Sequence, residues 1–425
     1  MHSSQSLSSP VAASDFAYAV GIDVGSQSLV YTVLQPDKRQ VVKPTELANS
    51  RSGFEPLDQG LRQLGVAPER ILIGLEATSR YSENLYQFLT AQGYTLCLLH
   101  PGQTHHFAQQ RGLRAKTDRL DASTIARLLL SGEARAGYVP DELIATYREL
   151  ARLHWQLADE SARYQNEIQA LVVVLFPEFT QVFADPCGKT ALALLKRYPS
   201  AQAILAAGVQ ELTTTLRSLA PRHYGRKTAE QLLPLAAQSA ASGLATEARS
   251  LSLQVLCDQL EHTQANLARV ERELDQLLTR DGGISGLRSV PEFGRKTVTV
   301  LRAELGDVTR FQRVDQVVAY VGLDLEVKQS GKWKGQVKLS KRGSGRVRRV
   351  LYLAALRSLT LPESPFGAYY RRLVARGLKA REALIAVMRK MLIVTYHLLR
   401  SNETYDPRKV GVLAGPPAHP PSSGS

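Results

Sequence analysis

Four carboxylates are spaced as a divalent-metal site would need them. Asp23 lies in the apolar run Tyr18-Ala19-Val20-Gly21-Ile22-Asp23-Val24, framed by Gly21 and Gly25 and followed by a second apolar run, Leu29 to Leu34. This pattern reads as a buried strand turning into its hairpin partner. An aspartate there is costly to bury unless it meets a cation. Glu76 ends another apolar run, Ile71 to Leu75. Asp118 and Asp121 stand at i and i+3 in Lys116-Thr117-Asp118-Arg119-Leu120-Asp121. Both then project from one face of a helix start, where the dipole favours negative charge. Taken singly, Asp23 reads as a turn cap, and Asp118 and Asp121 as helix caps pairing with Arg119 or Lys116. As a set they repel unless cations sit among them, and oxygen-only ligands favour Mg²⁺ or Mn²⁺ over zinc. Two such ions activate a nucleophile and stabilise a leaving oxygen in phosphoryl transfer.

A second constellation is basic. No acid occurs from Val327 to Pro362, while Lys328, Lys332, Lys334, Lys338, Lys341, Arg342, Arg346, Arg348, Arg349 and Arg357 recur through it. A solvated face usually carries some acids, so this run is expected to contact phosphates. Trp333 within it suits base stacking or packing equally. The whole chain agrees: 53 Lys and Arg against 39 Asp and Glu give a net charge of +14, which favours a polyanionic partner.

The elements that must position these residues follow from periodicity. Residues 1–15 are Ser-rich and expected to be disordered. Residues 16–137 alternate strand and helix signals: a hairpin over Ala17–Leu34, a strand at Val41–Leu47, a helix at Gly53–Leu64, a strand at Arg70–Leu75, a helix at Tyr81–Gln92, a strand at Thr95–Leu99 and a helix at Arg119–Leu130. Three hairpin-like strands followed by alternating helices and strands indicate an α/β domain whose order resembles the RNase H-like fold. Residues 138–283 are helical. Leu253, Leu256, Leu260, Thr263, Leu267, Val270, Leu274 and Leu277 form an a/d stripe with charged flanks, which implies a coiled-coil arm. Self-association through it is preferred over pairing within the chain. Residues 284–405 form a mostly α domain. There, Ser289-Val290-Pro291-Glu292-Phe293-Gly294-Arg295-Lys296 before an apolar helix resembles a helix-hairpin-helix, which aims backbone N–H groups at phosphate. Residues 406–425 read as a flexible tail. Cys97, Cys187 and Cys257 form no CxxC pair, no apolar run reaches membrane length, and no signal-peptide pattern opens the chain, so a cytoplasmic protein without a membrane partner is expected.

In order and spacing, GIDVGS, LEATSRYSENL, KTDRLDA, SVPEFGRKTVTVLRAELGD and VGLDLEVKQSGKWKGQVKLSKRGSGRVRRVL resemble the DEDD transposases of the insertion-sequence one-ten family. The resemblance implies a RuvC-like domain with its acids on Asp23, Glu76, Asp118 and Asp121. It also implies a C-terminal transposase domain whose nucleophilic serine falls on Ser330, between Gln329 and Gly331, with Ser340 and Ser344 as alternatives. Without the resemblance, Ser330 reads as a turn serine bonding its own backbone. A phosphoserine link would conserve phosphodiester energy during strand exchange. The family implies donor and target DNA, a non-coding bridge RNA, and a dimer or tetramer. One departure stands out: the family's hairpin reads Pro-Gly-Ile-Gly, and here Glu292 replaces the first glycine.

Three rival functions fit parts of the pattern. A Holliday-junction resolvase would share the acids but need no serine. An actin-like sugar kinase would explain GIDVGSQS, but Asp281-Gly282-Gly283 follows a charged helix rather than a strand. A non-catalytic nucleic-acid scaffold explains the charge and leaves the buried acids without a reason.

Overall fold

The computed structural model describes residues 15–76, 80–111, 117–326, 329–330, 333–334 and 338–410, and the side chains of 325–338 are not among what it describes. The expectations for the Ser-rich start, Lys116, Lys328, Gly331, Lys332 and the tail beyond Val410 lie outside these residues. The chain divides into two units, at Asp141 and Glu142.

In the first unit, apolar runs with both faces buried make three central strands, and a largely exposed run makes one edge of the sheet. The strands are β1 (Tyr18–Val24), β2 (Ser28–Leu34), β3 (Gln40–Ala48), β4 (Ile71–Glu76) and β5 (Thr95–Leu99). Their order is β3-β2-β1-β4-β5. The first three form an antiparallel meander, and β4 and β5 run parallel to β1. The helices are α1 (Arg51–Arg62), α2 (Glu83–Ala91), α3 (Pro101–Gln110) and α4 (Asp118–Leu130).

Alternation along each strand sorts the residues. Val20, Ile22, Ile73 and Leu75 pack with Leu57 of α1 and Leu85 of α2. Ala19, Leu72, Cys97 and Leu99 face the other way, onto Phe107 of α3 and Ile125 and Leu129 of α4. Each fully buried Leu or Ile contributes about 1.5–3 kcal/mol.

One close approach fixes α4. Gly21 and Gly74 are register partners on β1 and β4. A Cβ on Gly21 would lie 2.0 Å from the Ala122 carbonyl oxygen, and one on Gly74 would lie 2.7 Å from Ile125 Cγ2. The two glycines cut a trough across the sheet in which α4 lies against the backbone.

Among the described residues, the regular structure of the second unit is helical apart from four two-residue strands. Its helices are α5 (Glu142–Leu175), α6 (Lys189–Arg197), α7 (Ala201–Leu219), α8 (Arg226–Ala237), α9 (Thr246–Arg280), α10 (Ser285–Arg288), α11 (Arg295–Leu305), α12 (Val314–Val321), α13 (Gly345–Thr360), α14 (Pro365–Ala375) and α15 (Ala380–Ser401). Between α12 and α13 lie β6 (Leu325–Glu326), β7 (Gln329–Ser330), β8 (Trp333–Lys334) and β9 (Lys338–Leu339).

The apolar stripe of α9 is covered by α5 of the same chain. It therefore needs no second copy for burial, contrary to the preferred expectation. The stripe also differs in detail. Cys257 and Leu278 are buried, while Leu256 and Leu277 are only half-buried. A helix of 3.6 residues per turn drifts from a strict seven-residue repeat, and steps of four carry the contact over.

The two long helices run through two cores. Leu253, Cys257 and Leu260 join Ile168 of α5 and the inserted α6–α8. Val270, Leu274 and Leu278 join Tyr147 and Ala151 of α5 and helices α11–α15. The arm and the C-terminal helices are thus parts of one unit. The expected tail stays on this core as far as Val410, which is 3% exposed.

Candidate active site and nucleic-acid surface

Asp23 and Glu76 are brought together by the sheet. The β1–β4 ladder pairs Ile22 with Leu75, so the next residues on the two parallel strands are the two acids. Each acid lies two residues beyond a trough glycine, in Gly21-Ile22-Asp23 and Gly74-Leu75-Glu76. A two-residue step keeps the same face, so both carboxylates stand on the α4 side.

The trough then sets the helix. Ala122 of α4 sits over Gly21, and the preceding turn of α4 carries Asp118 and Asp121. Thr117 caps that turn, its hydroxyl accepting from the Leu120 N–H at 3.3 Å. A capped first turn with open N–H groups is a favourable place for two negative charges.

The electrostatics carry the mark of this convergence. Asp23 is half-buried and its carboxyl is pushed up to about 6. Desolvation is the largest cause, followed by the negative charges of Asp121, Asp118 and Glu76, in that order. All three other acids therefore act on Asp23. The arrangement is an electrostatic cluster and not a closed cage: among the described residues, no three His, Cys, Asp or Glu side chains are arranged to hold a metal ion. The donor set is oxygen-only and mutually repelling, which fits a hard divalent cation. The segments that follow Glu76 and precede Asp118, residues 77–79 and 112–116, lie outside the described residues.

Two positioning side chains escaped the sequence reading. The Thr104 hydroxyl of α3 donates to Glu76 Oε2 at 2.7 Å. The Asn49 amide donates to the carbonyls of Gly25 at 2.8 Å and Tyr81 at 3.1 Å. It thereby ties the turn after Asp23 to the chain that follows Glu76. The repeated Gly-x-acid pattern on two strands was the available signal for the trough. Neither Thr104 nor Asn49 had one.

The serines separate clearly. Ser330 lies on β7, where its backbone pairs with Trp333 of β8. Ser344 is spent as the cap of α13, accepting from the Val347 N–H at 3.3 Å. The Ser340 hydroxyl donates to the Asp324 carboxylate, and its N–H donates to the Asp324 carbonyl at 3.0 Å. Ser340 and Asp324 thus clasp the base of the β6–β9 segment that carries Ser330.

The basic run is not uniform. Lys334 and Lys338 lie on β8 and β9. Lys341 and Arg342 are exposed in the turn before α13. A Cβ on Gly343 would meet the Tyr320 carbonyl at 2.1 Å, so glycine lets this turn press onto the end of α12. Arg348 turns inward, its guanidinium donating to the carbonyls of Val321 at 2.7 Å and Gly343 at 3.1 Å. Arg346 lies 3.4 Å from Glu304. Arg349 is exposed and covers the Trp155 ring at 4.8 Å.

The hairpin differs from its expectation too. α10 has only four residues, and Glu292 in the connecting loop is 2% exposed. Its Oε1 accepts from the Ser364 hydroxyl at 2.5 Å. The residue in place of the family's glycine therefore faces the core. Asp281, the residue of interest to the kinase alternative, is likewise structural: it is buried, 2.9 Å from Arg302, at the end of α9.

Comparison with known proteins gives two family matches. The DEDD transposase model of the IS110 type covers residues 20–177. The model described as Transposase IS116/IS110/IS902 family covers residues 285–371. The chain is similar to an uncharacterised 44.8 kDa protein of insertion element IS116 from Streptomyces clavuligerus, 24% identical over 398 residues, 92% of this chain and 93% of that one. It is similar to an uncharacterised 42 kDa protein of insertion element IS900 from Mycobacterium paratuberculosis, 25% identical over 399 residues, 91% and 96% of the two chains. It is also similar to a pilin gene-inverting protein of Moraxella bovis, 22% identical over 368 residues, 85% and 89%.

Proposed function

Because the chain belongs to the IS110 family of DEDD transposases, we propose that it cuts and rejoins DNA strands through a serine ester, with divalent-metal assistance from an RNase H-like, RuvC-like domain. The observation that carries this reading is the placement of Asp23 and Glu76 at the adjacent ends of β1 and β4, with Asp118 and Asp121 on the first turn of the helix seated in the glycine trough; the charges of these three acids push the Asp23 carboxyl up. The sheet order β3-β2-β1-β4-β5, with acids at the ends of β1 and β4, supports the fold assignment.

Asp23, Glu76, Asp118 and Asp121 are the residues that would hold Mg²⁺ or Mn²⁺. Such ions supply activation of an attacking oxygen and neutralisation of charge on phosphate. The chain's own residues do the rest. Ser330 Oγ forms a bond to phosphorus as one P–O bond of the strand breaks. The serine proton is lost, and the departing sugar oxygen takes up a proton. A second strand's hydroxyl reverses the step, so no ATP is needed. The exposed cations Lys341, Arg342 and Arg349 grip strand phosphates. Lys328, Lys332, Lys334, Lys338 and Arg346 are assigned the same role from their place in the acid-free run.

The surplus of positive charge also suits a guide RNA carried with the DNA, and more than one copy of the chain would be needed to exchange two strand pairs. Sequencing the nucleic acid that copurifies with the protein tests the RNA. Ser330→Ala tests the chemistry: it should bind DNA yet leave no protein–DNA adduct on a denaturing gel. An adduct that persists would move the nucleophile elsewhere. Cleavage without any adduct in the wild type would favour a resolvase-like hydrolysis on the same acids.

A further inference from the structure

Between α5, α9 and α11 lies a cavity of about 210 Å³ whose lining shares no residue with either set above. It is smaller than the roughly 300–1,000 Å³ that drug-sized ligands occupy. Ala151, Leu274, Leu278 and Val300 make its apolar floor, and Trp155 makes one wall. A second cavity, of about 190 Å³, continues along α9 and α11, sharing Asp275, Leu278 and Arg295 and adding Arg288.

We propose that this cavity takes one unpaired nucleotide of a bound nucleic-acid strand, its base against Trp155 and its phosphate at Arg295 and Lys296; the inference rests on the nucleic-acid reading above.

The physical case has three parts. Tryptophan is a stacking platform for any base, and the Trp155 ring is already braced by the Arg349 guanidinium at 4.8 Å. Arg295 and Lys296 have side chains 79% and 69% exposed, each held at the mouth of the cavity by an acid of α9 and open to a phosphate on its solvent side. They open α11, whose cap residue Gly294 makes no side-chain cap bond, and a helix start of this kind receives phosphate well. Arg288 in the adjoining cavity is placed for the next phosphate along the strand.

The lining also holds two acids, and both carry cations. Asp275 lies 2.5 Å from Arg295, and Glu271 lies 3.4 Å from Lys296 and 3.0 Å from His154 Nε2. Both contacts of Glu271 fall on Oε1. Glu271, half-exposed at the cavity, is an acceptor within reach of a base amino group, so guanine, adenine or cytosine is favoured over uracil or thymine.

The test uses the full chain and its tryptophan emission, corrected for ligand absorbance. The probes are 5′-GMP, 5′-AMP, 5′-UMP, 5′-dGMP and inorganic phosphate. The expected result is a saturable change with half-saturation on the order of 1 mM, absent in Trp155→Phe. UMP should bind about fivefold more weakly than GMP. Lys296→Ala, an exposed change that leaves the core alone, should raise half-saturation about fivefold. GMP binding tighter than dGMP assigns the pocket to RNA, and equal binding assigns it to DNA.

Binding of a labelled single-stranded oligonucleotide is measured alongside. No saturable change up to about 10 mM nucleotide, or an equal change with inorganic phosphate, in a chain that still binds the oligonucleotide overturns the pocket alone. A chain that binds no oligonucleotide overturns the nucleic-acid reading and the pocket with it.

Discussion

The two units differ sharply in charge. Residues 1–141 hold 13 Lys and Arg against 13 Asp and Glu, and residues 142–425 hold 40 against 26, so the second unit carries the entire +14. The neutral unit gathers four acids where the ends of two central strands meet the first turn of α4. The basic unit spreads its cations over helices. In the proposed function, chemistry on a phosphodiester needs fixed groups at one point, and a sheet with a helix pressed into it would supply them. In that function, grip on a long polyanion needs many adjustable contacts, for which exposed cations such as Lys341, Arg342 and Arg349 are available.

That contrast can be broken first at the trough. Gly21→Ala would drive a Cβ to 2.0 Å from the Ala122 carbonyl. Backbone cannot swing aside as a side chain does, so α4 must lift and carry Asp118 and Asp121 away. Cleavage should fall below detection, and the first unit should lose at least about 1–3 kcal/mol, while DNA binding by the second unit survives. Full cleavage by the alanine variant would remove the trough from the account.

Leu260→Glu should cost about as much in the second unit, roughly 2–5 kcal/mol for a lost core leucine. The expected outcome is a lower unfolding midpoint at unchanged mass in light scattering. A folded variant of halved mass would restore the stripe to a role between chains.

The acid edge should also be sensitive to pH. The folded carboxyl of Asp23 titrates near 6, above its ordinary 3.8. Between these values the folded chain binds a proton that the unfolded chain releases. This group therefore adds stability as pH falls across that window, and the contribution is lost as pH rises through about 6. If the acids hold a metal as proposed, activity runs the other way, because only the carboxylate would hold a cation. Cleavage at low Mg²⁺ should drop about tenfold per pH unit below 6, and added Mg²⁺ should move that limb to lower pH. An acid limb that ignores Mg²⁺ would contradict the link.

The smallest effect separates two neighbouring arginines. Arg349→Ala should lower the slope of log affinity against log salt by about one contact's worth. Arg348→Ala should leave that slope unchanged and cost stability instead, since its guanidinium serves two carbonyls.

The grouping of Asp23, Glu76, Asp118 and Asp121 was legible in the sequence because both of its geometric rules are local. Strand alternation puts Asp23 and Glu76 on one face, and helix spacing puts Asp118 and Asp121 on another. The sheet, its helices and the family resemblance could be read for the same reason. What could not be read depends on contacts distant along the chain. Thr104 reaches Glu76, Asn49 bridges two loops, and Arg348 turns inward, and no local pattern marks these roles. The partner of the α9 stripe was misjudged because periodicity reveals that a face is buried and not what covers it. Glu292 stood out in the sequence only as a departure from the family's hairpin, whereas its bond to Ser364, 72 residues away, makes it part of the core.

The convergence of four acids on one cation site is tested most directly by thermal unfolding with and without Mg²⁺, comparing the wild type with Asp23→Asn. Without the ion, the variant should melt a few degrees higher, on the order of 1 kcal/mol after solvent screening, because a raised carboxyl is relieved. Above its binding constant, Mg²⁺ should stabilise the wild type by about 1.4 kcal/mol per tenfold increase, and the variant should respond far less. Equal responses to Mg²⁺ in the two proteins would contradict a metal site built on Asp23.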